Sequence, residues 1–181
     1  MLSRVEKFEA ALAQTECDAV LVTNLKNIYY LTGFSGTEAT VFISKNRRIF
    51  MTDARYSLIA KGVVQGFDII ETRDAIGEIV KIIADDKLQK IGFDDEISYA
   101  YFKMLESVFS AYELVPMTAF IENLRMIKDE QEIATIRKAC QMSDQAFLDV
   151  LDFIKPGETT ELAVMNFLDA RMRQLGASGA S

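Results

Sequence analysis

Short apolar runs rich in β-branched and aromatic residues alternate with helical patterns up to about residue 122. Two of these runs, 39–44 and 48–52, meet at the four polar residues 45–48, the last of which begins the second run, and this pattern is typical of a β-hairpin. Further strands are predicted at 68–72, 90–95 and 113–117. Because helical patterns separate these later strands, the sequence predicts an α/β fold, a mixed β-sheet flanked by helices on both faces.

The character of the sequence changes after Asn123, where strand patterns stop. Asp129 is predicted to cap a long helix with an apolar stripe, which Pro156 and Gly157 end. A second helix is predicted over 160–175, and it is too short to cover that stripe. We therefore expect most of this second unit to lie outside the chain. The predicted division is a first domain over 1–122, a linker over 123–128 and an incomplete second domain over 129–181.

Composition excludes several classes of function. The chain has no histidine, so neither a Ser-His-Asp nor a Cys-His nucleophile can be built within it. Its formal net charge of −7 disfavours nucleic acid, and the basic residues 45, 47 and 48 are predicted to be a solvated hairpin tip. No apolar run approaches the length that crosses a bilayer. Cys17 and Cys140 are predicted to be buried and reduced, which favours the cytoplasm.

Two motifs could border a site. In "GFSGT", residues 33–37, the glycines favour a turn, and the alternative is a loop that presents Phe34 and Ser35 to a ligand. In "TDARY", residues 52–56, the strand-to-helix transition is a common place for α/β sites. The structural alternative there is that Asp53 starts a helix, with Arg55 paired to a carboxylate and Tyr56 packed.

A third motif, "FDDE" at 93–96, contains carboxylates that could coordinate magnesium or calcium. Adjacent residues of a strand point to opposite faces of the sheet, and the spacing of an EF-hand loop is missing. The motif is therefore predicted to be a solvated strand end. No catalytic residue and no metal ligand is predicted in the chain.

Five segments in order resemble the creatinase/prolidase/aminopeptidase P family. They are "NIYYLTGFSGT" (27–37), "MTDARY" (51–56), "KIGFDDE" (90–96), "LRMIKDEQEIATIRKA" (124–139) and "KPGETTELAV" (155–164). The resemblance implies a creatinase-type N-terminal domain followed by the first two helices of a truncated pita-bread catalytic domain. It also implies that the parent protein holds two divalent cations, usually manganese, on ligands that lie downstream of this chain.

By this resemblance the parent is a cytoplasmic metallopeptidase, an Xaa-Pro aminopeptidase or dipeptidase that acts on short proline-containing peptides. The N-terminal domain is then expected to restrict access and to supply contacts for a homodimer, with Phe34, Ser35, Arg55 and Tyr56 near the mouth. The fragment alone is expected to be inactive and to carry no cofactor. Two alternatives are a non-catalytic, protein-binding relative and a creatinase-like amidinohydrolase.

Overall fold

The computed structural model describes residues 2–179. These fall into two compact units, one that ends at Met126 and one that begins at Ile127. The strands of the first unit are β1 (Ala19–Val22), β2 (Thr40–Ser44), β3 (Arg48–Thr52), β4 (Asp68–Glu71), β5 (Lys90–Phe93) and β6 (Glu113–Pro116). Its helices are α1 (Arg4–Leu12), α2 (Leu25–Thr32), α3 (Ser57–Val63), α4 (Ala75–Asp86), α5 (Tyr99–Val108) and α6 (Phe120–Met126).

The six strands form one mixed sheet in the order β4-β3-β2-β1-β5-β6. Strand β2 is antiparallel to both β1 and β3, and it forms the predicted hairpin with β3. The pairs β1–β5, β3–β4 and β5–β6 are parallel. The predicted mixed sheet is therefore confirmed, and Pro116 lies at the end of an edge strand, where a missing N–H is tolerated.

Helices cover both faces of the sheet because side chains alternate along its central strands. In β1, Val20 and Val22 belong to the core beneath α1, α2, α3 and α6, whereas Ala19 and Leu21 belong to the core beneath α4 and α5. All four residues of β1 are buried. Burial on both faces explains why this strand is a continuous apolar run in the sequence.

Two boundaries differ from the sequence expectation. Helix α3 begins at Ser57 and not after Asp53, because the Asp53 carboxylate accepts from the backbone N–H of Arg55 and closes a turn first. Residues 123–126, predicted to be linker, form the end of α6. That helix continues because Ile121 is buried and Leu124 packs against the same apolar cluster.

The second unit consists of α7 (Glu130–Phe153) and α8 (Glu161–Gln174). Asp129 and Glu132 form a capping box at the start of α7, as expected for an acidic helix start. The helices contact each other through stacked rings of Phe153 and Phe167, whose centroids lie 4.4 Å apart. An ion pair joins Arg171 Nε to an Asp149 carboxylate oxygen at 2.5 Å.

Most of the apolar stripe predicted along α7 is exposed. Its exposed members are Ile133, Ile136, Cys140, Phe147 and Ile154, whereas Val150, also predicted to belong to it, is buried. Helix α8 does not cover them because it packs on the side of α7 that carries Ala146 and Val150. Across residues 2–179, no helix combines the length and the apolar character needed to span a membrane.

The two cysteines have different environments. Cys17 is buried, with Sγ 3.6 Å from Met117 Sδ, and burial raises the pKa of its thiol. Cys140 is exposed, so the prediction that both are buried is wrong for this residue. It lies outside the contact between α7 and α8, which leaves its face of the helix open.

This difference predicts selective thiol labelling. Since the thiolate is the reactive form, a thiol reagent at neutral pH should modify one cysteine per chain quickly and the second only on unfolding. Cys140→Ser should abolish the fast phase, and Cys17→Ala should leave it. Equal fast reaction of both thiols, followed by absorbance or intact mass, would contradict the buried position of Cys17.

Candidate functional site

Loops converge at one edge of the sheet. Because β1, β3, β4, β5 and β6 run in the same direction, their carboxyl ends meet there, and the segment that enters β2 lies beside them. This edge is where α/β proteins commonly place ligands. Both sequence motifs "GFSGT" and "TDARY" fall at this edge.

A cleft of about 390 Å³ opens at this edge. Hydroxyl groups dominate its lining, together with one carboxylate from Glu38 and three aliphatic side chains. The lining residues are Thr23, Leu25, Thr37, Glu38, Ala39, Thr40, Ile97, Ser98 and Tyr101. Burial, and to a lesser extent the charge of Glu38, raises the pKa of Tyr101, so its phenol stays protonated and can donate a hydrogen bond.

Beside the cleft, Tyr56 is the centre of a small cluster. Its hydroxyl lies 2.8 Å from Thr37 Oγ1, and Thr37 also lines the cleft. The guanidinium carbon of Arg55 lies 5.5 Å from the centroid of the Tyr56 ring. Arg55 Nη2 is 2.7 Å from Asp53 Oδ2, and this hydrogen-bonded pair lowers the pKa of Asp53. The expected ion pair and tyrosine packing of "TDARY" are therefore present.

Three of the four residues expected near the mouth of the parent's active site contact one another here, namely Phe34, Arg55 and Tyr56. The Phe34 ring packs edge-on against Tyr56, with centroids 5.7 Å apart, and against Phe50 at 5.0 Å. Only 2% of Phe34 is exposed, so this ring supports the loop from inside and does not line its surface. Ser35, the fourth residue, is exposed on the same loop.

Asp94 is a buried carboxylate beside the cleft that the sequence interpretation missed. It is only 7% exposed, so the prediction of a solvated strand end is wrong at this position. Its Oδ2 accepts from the backbone N–H groups of Thr23 and Asn24, at 2.7 and 2.8 Å. Asp94 thereby fixes the loop between β1 and α2, which forms part of the cleft. The available signal was an aspartate that directly follows a buried strand.

A larger cavity, about 640 Å³, lies at the opposite edge beside the β2–β3 turn. Its arginines are already paired, Arg47 with Asp86 and Arg48 with Glu9, each through two hydrogen bonds. The side chains of Arg47 and Arg48 are 40% and 38% exposed, so the tip is solvated as predicted, and carboxylates of α4 and α1 offset its charge.

Histidine, cysteine and carboxylate side chains do not gather in groups of three or more that could hold a metal ion anywhere in residues 2–179. The residues present therefore do not fit a site for two divalent cations. The chemistry available at the cleft is binding through hydroxyl groups, an exposed carboxylate and the Arg55 guanidinium.

Comparison with known proteins identifies the family to which this chain is similar. Residues 4–127 match the model of the Creatinase/Prolidase N-terminal domain. The peptidase YqhT of Bacillus subtilis is 36% identical, across 98% of this chain and 51% of its own length. The Xaa-Pro dipeptidase from Bacillus anthracis is 33% identical and superposes with a TM-score of 0.89, over 97% of this chain and 50% of its own.

A shorter solved structure matches the first unit. It is described as the aminopeptidase P, Xaa-Pro aminopeptidase, from Streptococcus thermophilus. It is 56% identical with a TM-score of 0.66, and the match covers 67% of this chain and 95% of that one. The chain spans about half the length of the curated relatives it matches. It belongs to the creatinase/prolidase family, whose N-terminal domain it contains.

Proposed function

We propose that this chain is the N-terminal part of an exopeptidase that hydrolyses Xaa-Pro bonds in short peptides. The observation that carries the proposal is its match to the Bacillus anthracis Xaa-Pro dipeptidase over 97% of this chain but only 50% of that protein. The remaining half of such a parent would contain the hydrolytic site. The exposed stripe of α7 supports this proposal, because an apolar face of that length packs against further protein.

The reaction itself explains why such enzymes form a separate class. An Xaa-Pro bond is a tertiary amide without an N–H, so a peptidase that grips an extended backbone loses one hydrogen bond there. A pair of divalent cations, manganese in this proposal, would supply an activated water and polarise the carbonyl when bound to the parent. In this proposal, residues of the parent that lie outside this chain hold the cations.

The first unit would act as the gate of that enzyme. Ser35 and the Arg55 guanidinium are exposed at the carboxyl edge, next to a hydroxyl-lined cleft. Tyr56 joins them to the cleft through Thr37, and Phe34 holds the loop from below. We further propose a cytoplasmic homodimer, in which this unit supplies contacts between subunits.

The test compares the purified chain with the product of the complete reading frame, each incubated with manganese and an Xaa-Pro dipeptide. Release of free proline should occur with the complete product and not with the 181-residue chain. Turnover by the chain alone would refute the assignment of chemistry to the missing half. If the complete product also fails, a guanidino substrate and a pull-down of bound proteins separate an amidinohydrolase from a binding module.

A further inference from the structure

Four polar side chains connect α6 to the end of β5 and to α2. Asn27 Nδ2 donates to Asp94 Oδ1 at 3.2 Å and to Glu122 Oε1 at 2.8 Å. Arg125 Nη1 donates to Asn27 Oδ1 at 2.9 Å, and it lies 3.7 Å from the Glu122 carboxylate. We call these four side chains the Asn27 network. The Asn27 carboxamide therefore donates hydrogen bonds to two carboxylates that belong to different elements.

The charges of the Asn27 network do not balance when both acids are ionised. Two carboxylates face one guanidinium, while Asp94 is 7% exposed and Asn27 is 1% exposed. Burial raises the pKa of Asp94, and the charge of Glu122 adds to that effect, against the hydrogen bonds that lower it. Of the neighbouring charged groups, Glu96 lies further out, where it accepts from the Asn24 side chain at 3.1 Å.

Helix α6 also has apolar contacts, which hold it on the core independently of the Asn27 network. The ring of Phe120 packs edge-on against Phe8 with centroids 5.3 Å apart, and Ile121 is buried. Loss of the polar contacts would therefore loosen the helix without removing it from the core. Glu122 already reaches water, since 35% of its side chain is exposed, so partial opening of α6 would mainly separate its charge from the buried Asp94.

We propose that the Asn27 network is a pH-sensitive clasp for α6, the last helix of the first unit. The helix is held more tightly when the buried Asp94 carries a proton, and less tightly when Asp94 is ionised. The physical reason is that opening relieves repulsion between two carboxylates in a site that water screens poorly. The clasp acts on the helix that leads directly to Ile127, where the second unit begins.

Hydrogen exchange of the α6 amides from pH 4, near the ordinary pKa of an aspartate, to pH 8, corrected for intrinsic rates, tests the clasp. In the wild type, the opening equilibrium constant of α6, divided by that of β2 and β3, should increase about three- to tenfold as pH rises over this range. A change of this size corresponds to the free energy of about one net hydrogen bond. Glu122→Gln keeps the acceptor and removes the charge, so it should abolish the increase. Glu71→Gln, a change at an exposed glutamate of β4, is the matched control and should keep the wild-type profile.

A second variant removes the shared donor. Asn27→Ala should raise exchange of α6 at every pH, because neither carboxylate retains the amide that joins α2 to α6. The proposal is refuted if Glu122→Gln retains the pH dependence, or if Asn27→Ala leaves α6 unchanged. It is equally refuted if α6 and the strands change by the same factor, since that result indicates global unfolding alone.

Discussion

Phe34→Ala should lower the free energy of unfolding of the first unit by about 3–5 kcal/mol, the usual cost of removing a buried phenylalanine ring. The ring is 2% exposed and packs edge-on against Phe50 and Tyr56. The loop also closes tightly over it, since a Cβ placed on Gly36 would lie 2.3 Å from Phe34 Cζ. Urea unfolding followed by circular dichroism measures the change.

Two matched variants separate a core role from a ligand-binding role for this loop. Ser35→Ala alters an exposed neighbour and should change stability by less than about 0.5 kcal/mol. Phe34→Leu retains apolar volume and should cost less than Phe34→Ala. If Phe34→Ala unfolded at the wild-type urea concentration, the ring would be dispensable for folding and free to serve a ligand.

Asp94→Ala should cost about 2–4 kcal/mol, since it leaves two backbone N–H groups without their acceptor in a buried site. These groups, on Thr23 and Asn24, now donate to Asp94 Oδ2 at 2.7 and 2.8 Å. Asp95→Ala is the matched control, because its side chain is exposed on the adjacent residue and should have little effect. Equal urea midpoints for the two variants would contradict this role of Asp94.

The difference in unfolding free energy between wild type and Asp94→Ala should depend on pH, and the sign of that dependence follows from the pKa of Asp94. Burial raises the pKa of Asp94 in the folded state, so the folded protein binds this proton more tightly than the unfolded chain does. The contribution of Asp94 to stability is then greatest below its unfolded pKa and declines as pH rises through its native pKa. The stability difference between wild type and Asp94→Ala should therefore be larger below the ordinary aspartate pKa of 3.8 than at neutral pH.

The elements of the fold were predictable because their signals are local. Strand β1 is a continuous apolar run, and α4 shows helical spacing at Ile79 and Ile83, both of which are buried. The start of α3 was not predictable from Asp53, since a turn and a helix cap use the same side-chain acceptor. Likewise, the α6 helix at 123–126 depends on an apolar cluster drawn from distant parts of the chain.

The candidate site was predictable only in part. The motifs "GFSGT" and "TDARY" indicated Phe34, Ser35, Arg55 and Tyr56, and the structure places all four at the carboxyl edge of the sheet. Asp94 could not be recognised, because its role depends on a parallel pairing of β1 with β5 across about seventy residues. No local pattern shows which backbone amides that pairing brings to an aspartate. Whether the four motif residues border a substrate path stays a prediction.

The central position of β1 has a consequence for synthesis on the ribosome. Strand β1 pairs with the nearby β2 on one side. Its other edge stays unpaired until β5, which ends at Phe93, has been synthesised. A nascent chain can complete the hairpin early and still present the open edge of Ala19–Val22. Such an apolar edge is a template for pairing with other chains. Stalled translation before Phe93 should therefore yield a chaperone-dependent, aggregation-prone intermediate, whereas release after Pro116 should not.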